Sequence, residues 1–273
     1  MDTTRPRLGP LVAAALLLSG SLVALLAWSV LSGPPAEGTA ASAASSDATM
    51  SVARDPSRPY AVWGMDHRGE PLRWDACSPV RFVLSEQEAP EHAERDLVAA
   101  LAVLRDATGL DLQLTGPTAE RPRIDRPLVE DGPTGWRWRD VLVAWAHPGE
   151  GGVPLTPHDR GVALPVSVRD GDLEAYVTGQ VVLNAGRTDL VEGFADRRDA
   201  IGATLIHELA HLLGLAHVDD VSQLMSTDPG SGPVELGVGD LAGLRVIGAQ
   251  AGCNPAPPPE AGRGLVGRAP HAG

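Results

Sequence analysis

The sequence predicts one α+β domain. Three observations carry this: short strand-like runs interleaved with a helix-spaced segment, one strongly apolar helix bearing three histidines, and compositionally biased ends that frame a central stretch. RFVLS (81–85), DLQLT (111–115), VLVAWAH (141–147), GVALPVSV (161–168) and TGQVVLN (178–184) have the short, branched, apolar character of strands, separated by Pro- and Gly-rich loops. Residues 90–108 carry Leu97, Ala100, Leu101 and Leu104 at helical spacing, and Gly109 marks that helix's end. Asp196 is expected to cap the histidine-bearing helix, with Asp199 in its first turn. Asp240 is expected to cap a last helix over LAGLRVIG.

The ends bound the domain and place it outside the cytoplasm. Residues 1–10 hold Arg5 and Arg7, and residues 11–31, LVAAALLLSGSLVALLAWSVL, carry no charge for a full membrane span. The rest of the chain is therefore expected to be exported. Both a cleaved signal peptide, with its site near Ala41 to Ala43, and an uncleaved membrane anchor fit this pattern. Residues 32–58 turn to Pro, Ala, Ser, Thr and Gly, the composition of a flexible linker, and residues 254–273 have the character of a disordered tail. Between them, residues 59–253 suffice for one domain with a sizeable core. Its two cysteines, Cys77 before the first strand and Cys253 after the last helix, are expected to form a disulfide that staples its ends.

Composition excludes several function classes. A formal net charge of −13, with all 22 basic residues arginine, argues against nucleic acid and offers no basic stripe for anionic lipid. Neither a phosphate-cradling GxxxxGK loop nor a GxSxG serine elbow occurs. The all-arginine usage, with abundant Ala, Gly and Pro, suggests a GC-rich bacterial genome.

The chemistry concentrates in residues 207–217, HELAHLLGLAH. Four residues advance a helix little more than one turn, so His207 and His211 project from one face and can bind the same cation. Gly214 tolerates the left-handed turn that ends the helix and returns His217 toward the other two. Three imidazoles leave a tetrahedral ion one open position, the mark of a catalytic zinc site, where bound water can reach a pKa of about 7. Glu208 stands beside the first ligand as the carboxylate to take that water's proton. Leu205, Ile206, Leu209, Leu212, Leu213 and Leu215 make the segment apolar nearly all round, so this is a buried helix whose polar residues need partners, not a solvated surface helix.

HELAHLLGLAH resembles the extended zinc signature of the metzincin metallopeptidases, and SQLMST, with Met225, resembles their Met-turn. The short gap between His217 and Met225, with VVLNAG upstream, looks most like the matrixin branch and its secreted bacterial relatives. The resemblance is close over about residues 199–226. It implies a metzincin-like fold: a twisted mixed sheet, a long N-terminal helix, an active-site helix, and a C-terminal helix after the Met-turn. It further implies a zinc-dependent endopeptidase with one catalytic Zn2+ on His207, His211 and His217, Glu208 as general base, and a peptide or protein as substrate. GVALPVSV would be the edge strand beside the cleft, and residues from Val218 to Thr227 would wall the pocket behind the metal. Tyr176 would lie near the cleft, either packing there or polarising a carbonyl.

Where many matrixins have serine after the third histidine this chain has Val218, and strands 141–147 and 178–184 lack the ligands of a structural zinc, so no second zinc is expected. Asp159, Asp170 and Asp172 are read as solvated loop residues, not as a calcium site. One cysteine could instead be a free thiolate blocking the zinc, as in the matrixin cysteine switch, but neither lies in a propeptide-like motif. The other readings are a surface module that binds zinc without turnover and a zinc amidase acting on cell-wall amides. The expected state is a monomer, at the cell surface or secreted, that meets the membrane only through its N-terminal segment.

Overall fold

The computed structural model describes residues 53, 55, 57–194, 200–227 and 233–267. The apolar segment 11–31, Asp196, Asp199 and His271 lie outside them. In chain order the elements are β1 (Ala61–Val62), β2 (Val80–Ser85), α1 (Ala93–Thr108), β3 (Leu112–Thr118), β4 (Val129–Gly132), β5 (Gly135–Trp138), β6 (Val141–Ala146), β7 (Gly161–Asp170), β8 (Leu173–Asn184), α2 (Ile201–Leu213), β9 (Leu215–Ala216) and α3 (Val238–Ile247). Among the described residues no helix is long and apolar enough to cross a membrane.

Five strands form a mixed sheet in the order β3-β2-β6-β8-β7. The first four run parallel, and β7 closes the edge antiparallel to β8. This is an α+β arrangement with GVALPVSV on the edge, where Pro165, which has no N–H to give a ladder, is tolerated. Central β6 is buried at every position because both faces of the sheet are covered. On one face Phe82, Val143, Trp145, Val181 and Leu183 pack against Leu97, Leu101 and Leu104 of α1 and Leu205, Leu209 and Leu212 of α2. The recurrence of Leu97, Leu101 and Leu104 along α1 is the helical spacing visible in the sequence, and Gly109, at φ 70°, ends the helix with its N–H on Arg105 O at 2.7 Å.

The opposite face departs from expectation. Residues 254–267, expected in a disordered tail, lie along the body. Ala256, Ala261 and Leu265 pack with Leu128, Val168 and Val177; Trp138 Nε1 donates to Pro257 O at 3.0 Å, and Gly267 N–H to Arg126 O at 2.8 Å. The proline run is low in chain entropy, and its few apolar side chains reach a sheet face that would otherwise stay wet. The β4–β5 hairpin, read from sequence as loop, is half-exposed and too short to show an alternation of its own. At the other end Ala53 already bridges Val62, inside the stretch expected to be flexible linker, and β1 pairs with β9.

A bulge at Val177, where Val166 faces Thr178 and Ser167 faces Tyr176, reverses the side-chain alternation of β8. Tyr176 therefore turns into the helical core instead of toward the cleft. Its ring lies 6.1 Å from that of Trp74, its hydroxyl has no partner, and burial raises its pKa. Packing is its role.

Cys77 and Cys253 form the expected disulfide, with Cα atoms 5.2 Å apart and a sequence separation of 176. Asn254 continues the junction: its N–H donates to Asp75 Oδ1 and its side-chain amide to the carbonyls of Arg73 and Glu174, each at 3.1 Å. Closing so long a loop restricts the unfolded chain, so a double Cys77→Ser, Cys253→Ser variant should lose about 2–5 kcal/mol in denaturant unfolding. A midpoint unchanged from the parent would show that the bridge does not stabilise the fold.

Candidate metal centre

Helix α2 carries two of the three histidines, and its ends explain their placement. No side chain caps its start, and Ala200 occupies the N-cap position. The expected cap at Asp196 is thus displaced, because the helix begins at Ile201 and its first N–H groups find carbonyls instead. Ile201 N–H donates to Val191 O at 2.8 Å and Gly202 N–H to Gly193 O at 3.0 Å, and Gly193 N–H is held at 2.9 Å by buried Asp96 of α1. At the other end Gly214, at φ 122°, donates to Ala210 O and His211 O. A Cβ there would meet the Tyr176 ring at 3.2 Å, so the reversal that brings back His217 needs glycine for both conformation and space.

The three rings converge. Each pair of Nε2 atoms among His207, His211 and His217 is 3.1 Å apart. His207 Nδ1 lies 2.9 Å from Leu224 O and His211 Nδ1 lies 2.8 Å from Leu215 O. A carbonyl only accepts, so both Nδ1 atoms carry hydrogen and both Nε2 atoms present lone pairs. Trp63 Nε1 also approaches His211 Nδ1, at 3.1 Å, but a protonated Nδ1 cannot accept; we assign the shorter carbonyl bond and read the indole as a packing neighbour, its ring 5.5 Å away. Lone pairs gathered in a buried pocket repel one another unless a cation sits among them. A tetrahedral ion with metal–nitrogen bonds of about 2.0–2.1 Å spaces its ligand nitrogens at about 3.3 Å, close to what the rings adopt. The donor set therefore fits a metal ion. A second grouping among the described residues, Asp75 with Cys77 and Cys253, has both sulfurs committed to the disulfide.

The surroundings favour ligand-competent imidazoles. Burial, then the neighbouring His217, pushes His207 down to about 4; burial and both other rings push His211 well below its ordinary value. Glu208, 7 % exposed, is pushed up to about 8, first by burial and then by the charge of Asp159. Gly161 of edge strand β7 backs directly onto it: a Cβ there would stand 2.9 Å from Glu208 Cγ. Beside the histidines opens a cavity of about 260 Å3, walled by Asp159–Gly161 on one side and by Ala203, Thr204, Leu224, Thr227 and Val234 on the other. Leu224 and Thr227 belong to the stretch after His217 from which a wall was expected. His67, His92 and His147 pair with Glu174, Asp96 and Glu88 away from this centre, while His158 lines the cavity.

The loop from His217 to Met225 is pinned to α3. Val218 N–H donates to Met225 O and Thr227 N–H to Val218 O, both at 2.9 Å, and Met225 is 1 % exposed in the core. Asp240 is not the N-cap of α3, a position held by Gly237, but the third residue of its first turn. From there its carboxylate accepts from Gly237 N–H at 2.8 Å and from Leu224 N–H at 2.7 Å. Gln223 replies by accepting from Gly239 and Asp240 N–H at 2.7 and 3.0 Å. These bonds seat Leu224, whose carbonyl orients His207. Sequence reading placed Gly161 and Gln223 here only as members of the edge strand and of the stretch after His217, and did not name Trp63, Asp159 or Thr204 as part of this region, because none belongs to a spaced motif; the fold assembles them.

Compared with known proteins, the chain matches no family model and no curated protein.

The pKa shifts give the metal-free protein a stability maximum. His207, moved from 6.5 to about 4, and His211, also lowered, are protonated first in the unfolded chain, so together they make stability fall as pH drops below 6.5. Glu208, moved from 4.5 to about 8, holds a proton that the unfolded chain releases, so its contribution is lost across pH 4.5 to 8; the two histidines outweigh it below 6.5, and above 6.5 it acts alone. Thermal unfolding of chelator-treated protein should peak near pH 6.5, and Glu208→Gln should flatten the alkaline limb and steepen the acid one. A variant whose midpoint still declined between pH 6.5 and 8 would contradict the assignment.

Proposed function

We propose that the protein is an exported zinc-dependent endopeptidase of metzincin, matrixin-like type. The observation that carries this reading is the convergence of three imidazole Nε2 atoms, 3.1 Å apart, at a cleft where a buried carboxylate stands beside them. The likeness of HELAHLLGLAH and the turn at Met225 to the metzincin signature supports it, as do the edge position of β7 and the helix after the turn. The Cys77–Cys253 disulfide supports an oxidising, extracytoplasmic setting, in keeping with the apolar segment 11–31.

His207, His211 and His217 would hold the ion, and Leu224 and Leu215 keep two of those rings in the tautomer that binds it. When bound, zinc supplies Lewis acidity that polarises a carbonyl and acidifies a water molecule. Glu208 is the base that accepts that water's proton and then delivers it to the departing amine. Its upward shift suits a group that must both take and return a proton, and the nearby charge of a cation would bring it back toward the carboxylate range. The edge of β7 offers free backbone groups to an extended peptide, a mode of binding that asks little of sequence. Gly161, without a side chain, lets that strand approach Glu208.

The test is peptide or casein hydrolysis with and without a zinc chelator, alongside metal analysis of purified protein. Glu208→Gln should retain zinc and lose roughly 10²–10⁴-fold in kcat/KM, and His211→Ala should lose the metal. Undiminished hydrolysis by Glu208→Gln, or purified protein free of zinc, would overturn the reading.

A further inference from the structure

The rim of the cleft on the β7 side, residues 156–161, is a run of carbonyls taken up by donors from one short stretch after β8. Asn184 ends β8, 4 % exposed, and its side-chain amide donates to Thr156 O at 3.2 Å and to Asp159 O at 2.8 Å. Its backbone N–H donates to Arg160 O at 2.9 Å. Gly186 N–H donates to Asn184 Oδ1 at 2.9 Å, which fixes the orientation of the carboxamide and turns Nδ2 toward the rim. Arg187, bidentate on Asp189 at 2.7 and 2.6 Å, adds a bond to His158 O at 3.0 Å. Within the rim itself Asp159 Oδ2 accepts from Thr156 N–H at 2.8 Å.

Thr156, Pro157 and His158 are exposed, so burial does little to seat this rim and its hydrogen bonds do most. The rim in turn stands on the groups assigned to the chemistry. His158, Asp159, Arg160 and Gly161 line the cavity beside the histidines, and Gly161 lies so close to Glu208 that a Cβ there would stand 2.9 Å from its Cγ. We propose that Asn184 is a positioning residue of the cleft, whose carboxamide seats the rim so that Asp159 and Gly161 are held against Glu208 and a bound peptide. The proposal rests on the peptidase reading above. Asn184 does not line the cavity and acts through the rim alone. A carboxylate of the same shape would keep the bond from Gly186 but turn an acceptor toward two carbonyls, and polar groups left facing without a proton between them cost more than a missing contact.

Asn184→Asp is that isostere. Hydrogen exchange read by mass spectrometry should show residues 156–161 exchanging about tenfold faster than in the parent, the scale of one or two neutral hydrogen bonds. Zinc content should be unchanged, and peptide hydrolysis should lose about tenfold through KM, with kcat largely kept. Arg187→Ala, which removes the bond to His158 O, should move exchange and KM the same way by a smaller factor, and it decides alone if Asn184→Asp does not fold. Gln180→Glu is the control: on the same strand its amide holds Arg123 N–H and O at 3.1 and 2.7 Å, outside the cavity wall, and it should move neither quantity. Parent-like exchange in both rim variants, faster exchange with KM unmoved, or a KM rise of the same size in Gln180→Glu would overturn the proposal. Should the parent cleave no peptide while residues 156–161 still exchange faster in Asn184→Asp and not in Gln180→Glu, the peptidase reading fails and the seating of the rim stands.

Discussion

Three imidazole Nε2 atoms pointed at one another in a largely buried space, two of them fixed as lone pairs, form the constraint around which this molecule is arranged. Without a cation such an arrangement is repulsive, and burial makes protonating the rings an expensive escape, as the depressed His207 and His211 show. The surrounding structure withstands this because each element touching the rings is held from elsewhere. Leu215 belongs to β9, which pairs with β1, and Leu224 belongs to the loop bonded to α3. Helix α2 packs against both the sheet and α1. The metal centre is therefore built on one stretch of chain, from α2 through β9 to the loop at Met225, and its stiffness comes from the packing of that stretch against the sheet, α1, β1 and α3.

The mutual bonding of Gln223 and Asp240 shows how that stiffness is built. A helix start has N–H groups to satisfy, and a loop carrying an oriented carbonyl has N–H groups of its own. Here each side supplies the acceptor for the other, so α3 caps the loop and the loop caps α3. The side chain of Asp240 is buried in the process, and its pKa rises because burial outweighs the three N–H groups it accepts. Structural polarity of this kind, fully bonded and unrelated to reactivity, contrasts with Thr204, whose hydroxyl is unbonded inside the cleft wall.

Much of the fold was legible because it rests on local periodicity. The five main strands and the three α-helices among the described residues fall where short branched apolar runs and helical spacing place them, and Gly109 and Gly214 end their helices for the conformational reason that marks them in the sequence. The misses share one cause: they depend on partners far along the chain. Asp196 looks like a helix cap, yet α2 starts later because Val191 and Gly193 offer carbonyls to its first N–H groups. Asp240 looks like a cap and is instead a bridge between two segments. The proline-rich stretch after Asn254 looks disordered, yet through Gly267 it packs, with Leu128 and Trp138, on the sheet face away from the helices.

Spacing alone decided that His207 and His211 share a helix face, that Gly214 turns the chain, and that His217 returns to them, since each step is a property of a few consecutive residues and the backbone geometry they permit. It also made the pairing of Cys77 with Cys253 the natural expectation for two cysteines at the domain's ends. Assembly decided the rest: which carbonyls fix the ring tautomers, that a one-residue bulge sends Tyr176 to the core, and that Gly161, Asp159 and Thr204 surround Glu208. Those relations join residues tens of positions apart through sheet register and side-chain packing, and a register is set by the competition of whole faces for burial.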